Sequence, residues 1–246
     1  MLPNLGLSSV SLGPLTLYWW GGFIALGIAA TLCLARHLSA REKLSFDHIV
    51  DLSVWTVAAA LVGSRLMHVF FYEPAFFFAN PSEILKVWHG GMSSTGGIIL
   101  GTSAAIAYIV RNKLDIRAYG DVIARAIPAS WVVGRLGCFL THTHPGTLSN
   151  LPFAVRYPDG ARLELSIIEA AIWAVIGLIL WFMKRPRVPG MYIVLLALLY
   201  APARFALDFL RVDNARYAGL TPAQFVMIGL FAVGIFGYFR FKTYDA

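Results

Sequence analysis

The chain has 246 residues, of which 58% are hydrophobic and 13% charged. A soluble domain carries about 25% charged residues, so a water-facing globular class is excluded and an integral membrane protein is indicated. The formal net charge of +7 is dispersed over short loops, without basic runs or interleaved aromatics, which argues against a nucleic-acid partner.

The N-terminal stretch MLPNLGLSSVSLGPLTL lacks the basic region of a secretory signal, so the first apolar block is expected to be retained as a span. A helical span takes about 20 residues. Seven candidates follow in order: 16–36, 46–72, 96–111, 119–140, 166–184, 191–211 and 221–241. The fold class is therefore all-α, one transmembrane domain over residues 1–246. The third span is short. The GGMSSTGG at its start reads as broken or re-entrant backbone, tolerated at membrane depth only inside protein or along a wet cavity.

Loop bases set the orientation. Arg36, Arg41 and Lys43 follow span one; Arg111, Lys113 and Arg117 follow span three; Lys184, Arg185 and Arg187 follow span five; Arg240 and Lys242 follow span seven. The remaining loops hold fewer, among them Lys86, Arg156, Arg162, Arg211 and Arg216. The N-terminus is expected outside and the C-terminus in the cytoplasm. Tyr18, Trp19, Trp20, Tyr72 and Trp88 fit interface anchors. Pro189-Gly190 reads as a turn, and Thr221-Pro222 as an N-cap with proline at the first helical position. No inverted repeat is evident, which disfavours a transporter.

Arg65, Arg135, Arg204, Asp208 and Glu169 fall within or at the margins of spans. Each costs roughly 2.5–3.5 kcal/mol or more at a helix centre, so such residues face the bundle interior or a cavity and are functional candidates. Arg125, four residues after Asp121, reads as a local ion pair, and Arg204 with Asp208 has the same spacing. With this topology Arg65, Arg135 and Arg204 reach one depth in the outer half of the bilayer. Two carboxylates leave three arginines short of neutral, which points to a bound anion. Guanidinium binds phosphate through two oxygens at once, and the abundant phosphate at this depth belongs to lipid. A phospholipid head-group site opening outward is the expectation.

The stretch GRLGCFLTHTHPG, residues 134–146, adds Cys138, His142 and His144. Cys138 and His142 share a helix face if the helix continues that far, which would make a thiolate–imidazolium couple; a buried packing cysteine is the alternative. A zinc site built from His142, His144 and His89 has no cysteine or acid at ligand spacing to complete it. No metal and no cofactor are expected.

Several motifs together, in order and spacing, resemble the prolipoprotein diacylglyceryl transferases of bacteria. They are LTLYWWGGF through Tyr18, GSRLMHVFFY with Arg65 and His68, WHGGMSSTGGIILG, GRLGCF, ARLELSIIEA with Arg162 and Glu169, and RFALDFLR with Arg204 and Asp208. The resemblance implies a multi-pass protein of the cytoplasmic membrane. It would transfer the diacylglyceryl group of phosphatidylglycerol to a lipobox cysteine of a lipoprotein precursor, releasing glycerol-1-phosphate. It implies that Arg135 and Arg204 face the phospholipid phosphate, that Gly134, Gly137 and Gly146 match glycines of the signature, and that Tyr18 and Arg65 belong to the phospholipid site. The chain departs from the family pattern where Thr95 replaces a histidine, Cys138 and Thr141 replace asparagines, Thr143 replaces a glutamate, and Asp208 is shorter than the usual glutamate. One of His142 and His144, with an ordinary pKa of about 6.5, is the expected replacement for the missing base; surface histidines with no role are the alternative. The other readings are a related transferase with a different acceptor and a non-catalytic lipid-binding relative.

Overall fold

The computed structural model describes residues 9–12, 15–87, 90–142, 144–152, 154–184, 186, 188–212 and 216–242, without the side chains of 9–12, 15–17, 94, 95, 222, 241 and 242. Two short strands, β1 (Ser9–Leu12) and β2 (Leu15–Tyr18), pair antiparallel ahead of α1 (Trp19–Glu42). Helix α2 (Phe46–Phe71) is followed by the short α3 (Pro74–Ala79), a 3-10 turn at Pro81–Ile84 and α4 (Ser94–Arg111). Helix α5 (Ile116–Thr141) leads into an antiparallel sheet of β3 (Pro145–Leu148), β4 (Val155–Tyr157) and β5 (Gly160–Glu164), with β5 in the centre. Helices α6 (Leu165–Phe182), α7 (Met191–Asp208) and α8 (Pro222–Lys242) complete the order.

Six helices, α1, α2, α5, α6, α7 and α8, are long and apolar enough to cross a membrane. The protein is a helical, multi-pass membrane protein. The expected third span corresponds to a shorter apolar helix, Gly96–Arg111, about 24 Å long at 1.5 Å per residue beside a hydrocarbon core of about 30 Å. The strands, absent from the sequence reading, lie outside these helices.

The chain divides into two compact units, residues 43–119 and residues 1–42 with 120–246. In the first, α2 and α4 pack backbone to backbone. A Cβ on Gly63 would run into the Gly96 carbonyl, and one on Gly96 into the Gly63 carbonyl. GGMSSTGG is irregular only over its first half. Gly90 and Gly91 have positive φ of 85° and 76°, conformations that favour glycine, and Ser93 N–H donates to Ser64 O at 2.9 Å before α4 begins.

Arg65 explains this loop. It is 5% exposed. Its Nε donates to Ile84 O at 3.0 Å, one terminal nitrogen to the Gly90 and Gly91 carbonyls, and the other to those of Glu83 and Lys86. A guanidinium has five N–H donors, and five carbonyls match them. The side chain expected on phospholipid phosphate is thus held by backbone, with its charge over the buried Phe77 ring at 4.9 Å. Phe76 and Phe78 on α3 stay exposed.

In the second unit α1 and α5 approach closely. A Cβ on Gly27 would meet Ser130, and one on Gly137 would meet Phe23. The Thr31 hydroxyl donates to Ala126 O at 3.3 Å. The expected Asp121–Arg125 pair does not form. Asp121 instead accepts from the amides of Gly190, Tyr192 and Ile193 at 2.7, 2.9 and 3.2 Å, satisfying unpartnered donors at the start of α7. Arg125 lies 3.9 Å from Glu42 and over the Tyr192 ring at 4.7 Å. At α8 the expected cap is present and is a reciprocal capping box: Thr221 N–H donates to Gln224 Oε1 at 2.9 Å, and Gln224 N–H to Thr221 Oγ1 at 3.2 Å.

Candidate functional site

One face of α5 carries Trp131, Gly134, Arg135 and Cys138, at the spacing that stacks side chains along a helix. On α7, Tyr200, Arg204 and Asp208 recur every four residues, and Arg211 follows three residues past Asp208. Glu169 sits just inside the first turns of α6 and is 1% exposed, as is Asp208. These three helices deliver one buried charge cluster. Glu169 Oε1 accepts from Arg135 at 3.0 Å and from the Tyr200 hydroxyl at 3.2 Å, and lies 3.8 Å from Arg204 Nε. Glu169 Oε2 lies 3.8 Å from Arg211. Asp208 Oδ1 accepts from Arg204 at 2.7 Å and faces Arg211 Nε at 3.5 Å.

Three guanidinium groups therefore share two carboxylates, leaving one positive charge in excess. The Nε of Arg135 is buried with no acceptor among the described residues. Burial and the neighbouring Arg204 charge lower the Arg211 pKa. By charge count the cluster is net positive, a field that favours an anion. The third arginine is Arg211, which its place beyond the apolar block disguised as a loop cation; its i+3 spacing from Asp208 was the available signal. Strand β3 fixes it: Gly146 bridges Arg211, and Thr147 N–H donates to Leu210 O at 3.0 Å.

A cavity of about 340 Å³ reaches this cluster at Arg135, lined by Trp20, Ile24 and Ile28 of α1, by Gly134, Arg135 and Cys138 of α5, and by His144. Its walls are apolar and its charge is Arg135, whose guanidinium also covers the Trp131 ring at 5.2 Å. Trp131 stacks on Trp173 at 5.2 Å, and Trp173 contacts Tyr200 at 4.3 Å, so aromatic rings back the arginines. Such a cleft suits an amphiphile with an anionic head and apolar chains.

The two histidines part company. His142 leaves α5 at a positive φ of 49°, so the helix does not carry it onto the face of Cys138. It is 8% exposed, and its Nδ1 lies 3.3 Å from Glu164. Glu164 also accepts from the Tyr157 and Ser166 hydroxyls, each at 2.5 Å. This buried knot joins the end of α5 to β4 and to the start of α6, and burial with Glu164 beside it raises the Tyr157 pKa. His144 belongs to the cavity instead. Its Nε2 is 3.3 Å from Arg135, and its carbonyl accepts Leu165 N–H at 3.2 Å. Burial first, then Arg135, Arg211 and Arg204, push its pKa down to about 4, so it is neutral at pH 7 and presents a lone pair toward Arg135.

Tyr18 ends β2, exposed beside Trp19 and Trp20. Gly137 is a packing contact. Gly134 is not: apart from its chain neighbours and the backbone of its own helix, no atom of the described residues lies within 4 Å of a Cβ built there. A side chain at Gly134 would enter the cavity without disturbing the helix. Gly134→Leu is expected to keep the thermal unfolding temperature, helped by better helix propensity, and to lose phospholipid that co-purifies with the protein. Native mass spectrometry of the detergent-solubilised variant reads this directly. No group of three or more histidine, cysteine or acidic side chains able to hold a metal occurs among the described residues. Trp88, His89 and Thr143 lie outside those residues, as does the Thr95 side chain.

The family model for prolipoprotein diacylglyceryl transferase matches residues 8–240. Proteins called phosphatidylglycerol–prolipoprotein diacylglyceryl transferase are similar along nearly the whole chain. The one from Janthinobacterium sp. is 33% identical, covering 92% of this chain and 92% of its own length. That from Pseudomonas entomophila is 33% identical, covering 95% and 93%. That from Nitratidesulfovibrio vulgaris is 30% identical, covering 95% and 92%. A helical membrane protein with a buried arginine cluster that reaches an apolar cleft at Arg135, matched over residues 8–240, belongs to the prolipoprotein diacylglyceryl transferase family.

Proposed function

We propose that the protein transfers the diacylglyceryl group of phosphatidylglycerol to the lipobox cysteine of a lipoprotein precursor in the bacterial cytoplasmic membrane. The observation that carries this reading is the buried excess of arginine over carboxylate, one of whose arginines, Arg135, lines an apolar cleft. The chain has seven spans, with α4 as the short third one, an external N-terminus and a cytoplasmic C-terminus. Other membrane phospholipids compete for the cleft.

The lipid phosphate sits among Arg135, Arg204 and Arg211. Tyr18 and Gly134 border the lipid, and Gly137 holds α1 against α5; Arg65, in the other unit, holds the carbonyls of Glu83, Ile84, Lys86, Gly90 and Gly91. The precursor thiol attacks the diacylglyceryl carbon that bears the phosphate oxygen. A carbon–sulfur bond forms, the carbon–oxygen bond breaks, and its electron pair leaves with glycerol-1-phosphate. The leaving group gains a negative charge, which fixed guanidinium groups stabilise without reorganising. Asp208 orients Arg204, and Glu169 holds all three arginines.

The thiol proton goes to His144. In the empty site its lone pair faces Arg135, and burial, followed by the charges of Arg135, Arg211 and Arg204, keeps it a weak base with a pKa of about 4. A bound phosphate offsets their charge and returns His144 toward its ordinary basicity. His142 acts through position, tying the turn that carries His144 to Glu164.

This assignment has a test in glycerol phosphate release from phosphatidylglycerol by purified protein with a lipobox peptide. His144→Ala is expected to lower kcat by about 10²–10⁴-fold, while His142→Ala lowers thermal stability first. The acid limb of kcat, set by the lipid complex, should lie at higher pH than that of kcat/KM, set by the free protein. Coincident limbs, or full turnover by His144→Ala, would remove His144 from the reaction.

A further inference from the structure

We propose that Thr221 is a positioning residue for the transfer step: its hydroxyl holds the Asp208 carboxylate, and through it Arg204 and Arg211, in the geometry that receives the phosphate. The proposal rests on the transferase reading and adds to it a residue from the first turn of α8.

An N-cap threonine needs only to accept a hydrogen bond from the helix that it begins. Thr221 does this, taking the Gln224 amide at 3.2 Å. A hydroxyl has one proton besides its lone pairs, and here that proton is donated to Asp208 Oδ2. The cap geometry therefore decides where the proton points. Thr221, Gln224 and Asp208 are each 1% exposed, so water does not compete for these bonds. The other oxygen of Asp208 faces Arg204 at 2.7 Å and Arg211 at 3.5 Å. Thr221 thus fixes one carboxylate oxygen so that the other is left for the two arginines.

The cap is itself anchored to α7. Gln224 Nε2 donates to Phe205 O at 3.2 Å, one residue beyond Arg204, and Gln224 Oε1 accepts Thr221 N–H at 2.9 Å. A carboxylate turns easily about its terminal torsion, where preferences are broad. Without the Thr221 proton, Asp208 has an unpartnered buried oxygen and rotates to share both oxygens with the guanidinium groups. The charges stay in the site, so phosphate is still bound. What is lost is alignment at the moment the carbon–oxygen bond breaks, and a misplacement of about 1 Å costs on the order of 10²-fold in rate.

The experiment compares Thr221→Val, Thr221→Ser and Gln224→Ala for kcat, KM for phosphatidylglycerol, and thermal unfolding in detergent. Thr221→Val is expected to lose about 10²-fold in kcat with KM little changed, since an interaction realised in the transition state is lost. Thr221→Ser keeps the proton and should restore kcat. Gln224→Ala keeps the hydroxyl and its proton; it should lower the unfolding temperature and cost clearly less in kcat than Thr221→Val. If Thr221→Val does not accumulate in the membrane, Thr221→Cys, with its weaker donor, takes its place in the comparison. Equal kcat losses in Thr221→Val and Gln224→Ala would reduce Thr221 to a helix cap, and an unchanged kcat in Thr221→Val would overturn the proposal outright. The transferase reading fails separately, by absence of turnover in the unmodified protein.

Discussion

Arg135→Ala is expected to lower diacylglyceryl transfer by at least about 10²–10³-fold, the loss typical of removing one fixed donor from a developing oxyanion. Arg135 meets the three requirements together. It lines the cavity, it is paired to Glu169 at 3.0 Å, and its Nε has no acceptor among the described residues. Its guanidinium lies over the Trp131 ring, so its plane is set before any ligand arrives. Arg135→Lys should recover little, because a point charge replaces a planar fork. The measurement is the rate of adduct formation on a lipobox peptide at saturating phosphatidylglycerol. A variant that retains more than about a tenth of the unmodified rate would contradict a role of the size expected for such a donor.

Glu169→Ala is expected to have the largest effect on the fold. The residue is 1% exposed and lies within 4 Å of Arg135, Arg204 and Arg211. Its removal leaves one carboxylate for three guanidinium groups. Breaking a buried pair while leaving its partner charged costs roughly 3–5 kcal/mol. An anion binding the folded state offsets such a loss by mass action. Thermal unfolding of Glu169→Ala should therefore fall well below that of the unmodified protein and recover more than it does when phosphatidylglycerol is added. Equal shifts with lipid in both proteins would show that Glu169 does not compete with the lipid phosphate for the arginines.

Much of this was legible in the sequence. Charge inside an apolar block is costly, and that cost singled out Arg135, Arg204, Asp208 and Glu169, all of which meet in one cluster. The Arg204–Asp208 spacing and the Thr221 cap were read from local chemistry and are present as bonds. Three features were not legible. Arg211 lies past the last apolar residue of α7, and its place depends on β3, a strand too short to leave a periodic signal. Asp121 had the helical spacing for Arg125, but the free amides at the start of α7 took it. Arg65 was costly enough to seem functional, and its five donors meet five backbone carbonyls that no local pattern foretold. In each case a partner distant in sequence decides where the side chain sits. The separation of His142 from His144 is of the same kind, since one positive φ at His142 sends it to Glu164 while His144 stays on Arg135.

The most direct measurement incubates purified protein with phosphatidylglycerol and a lipobox peptide and follows both products by mass spectrometry. A diacylglyceryl adduct on the peptide cysteine and an equal amount of glycerol phosphate are expected, with neither formed when the cysteine is replaced by serine. Phosphatidylglycerol bound tightly in the cleft with no adduct and no glycerol phosphate would contradict the transferase assignment.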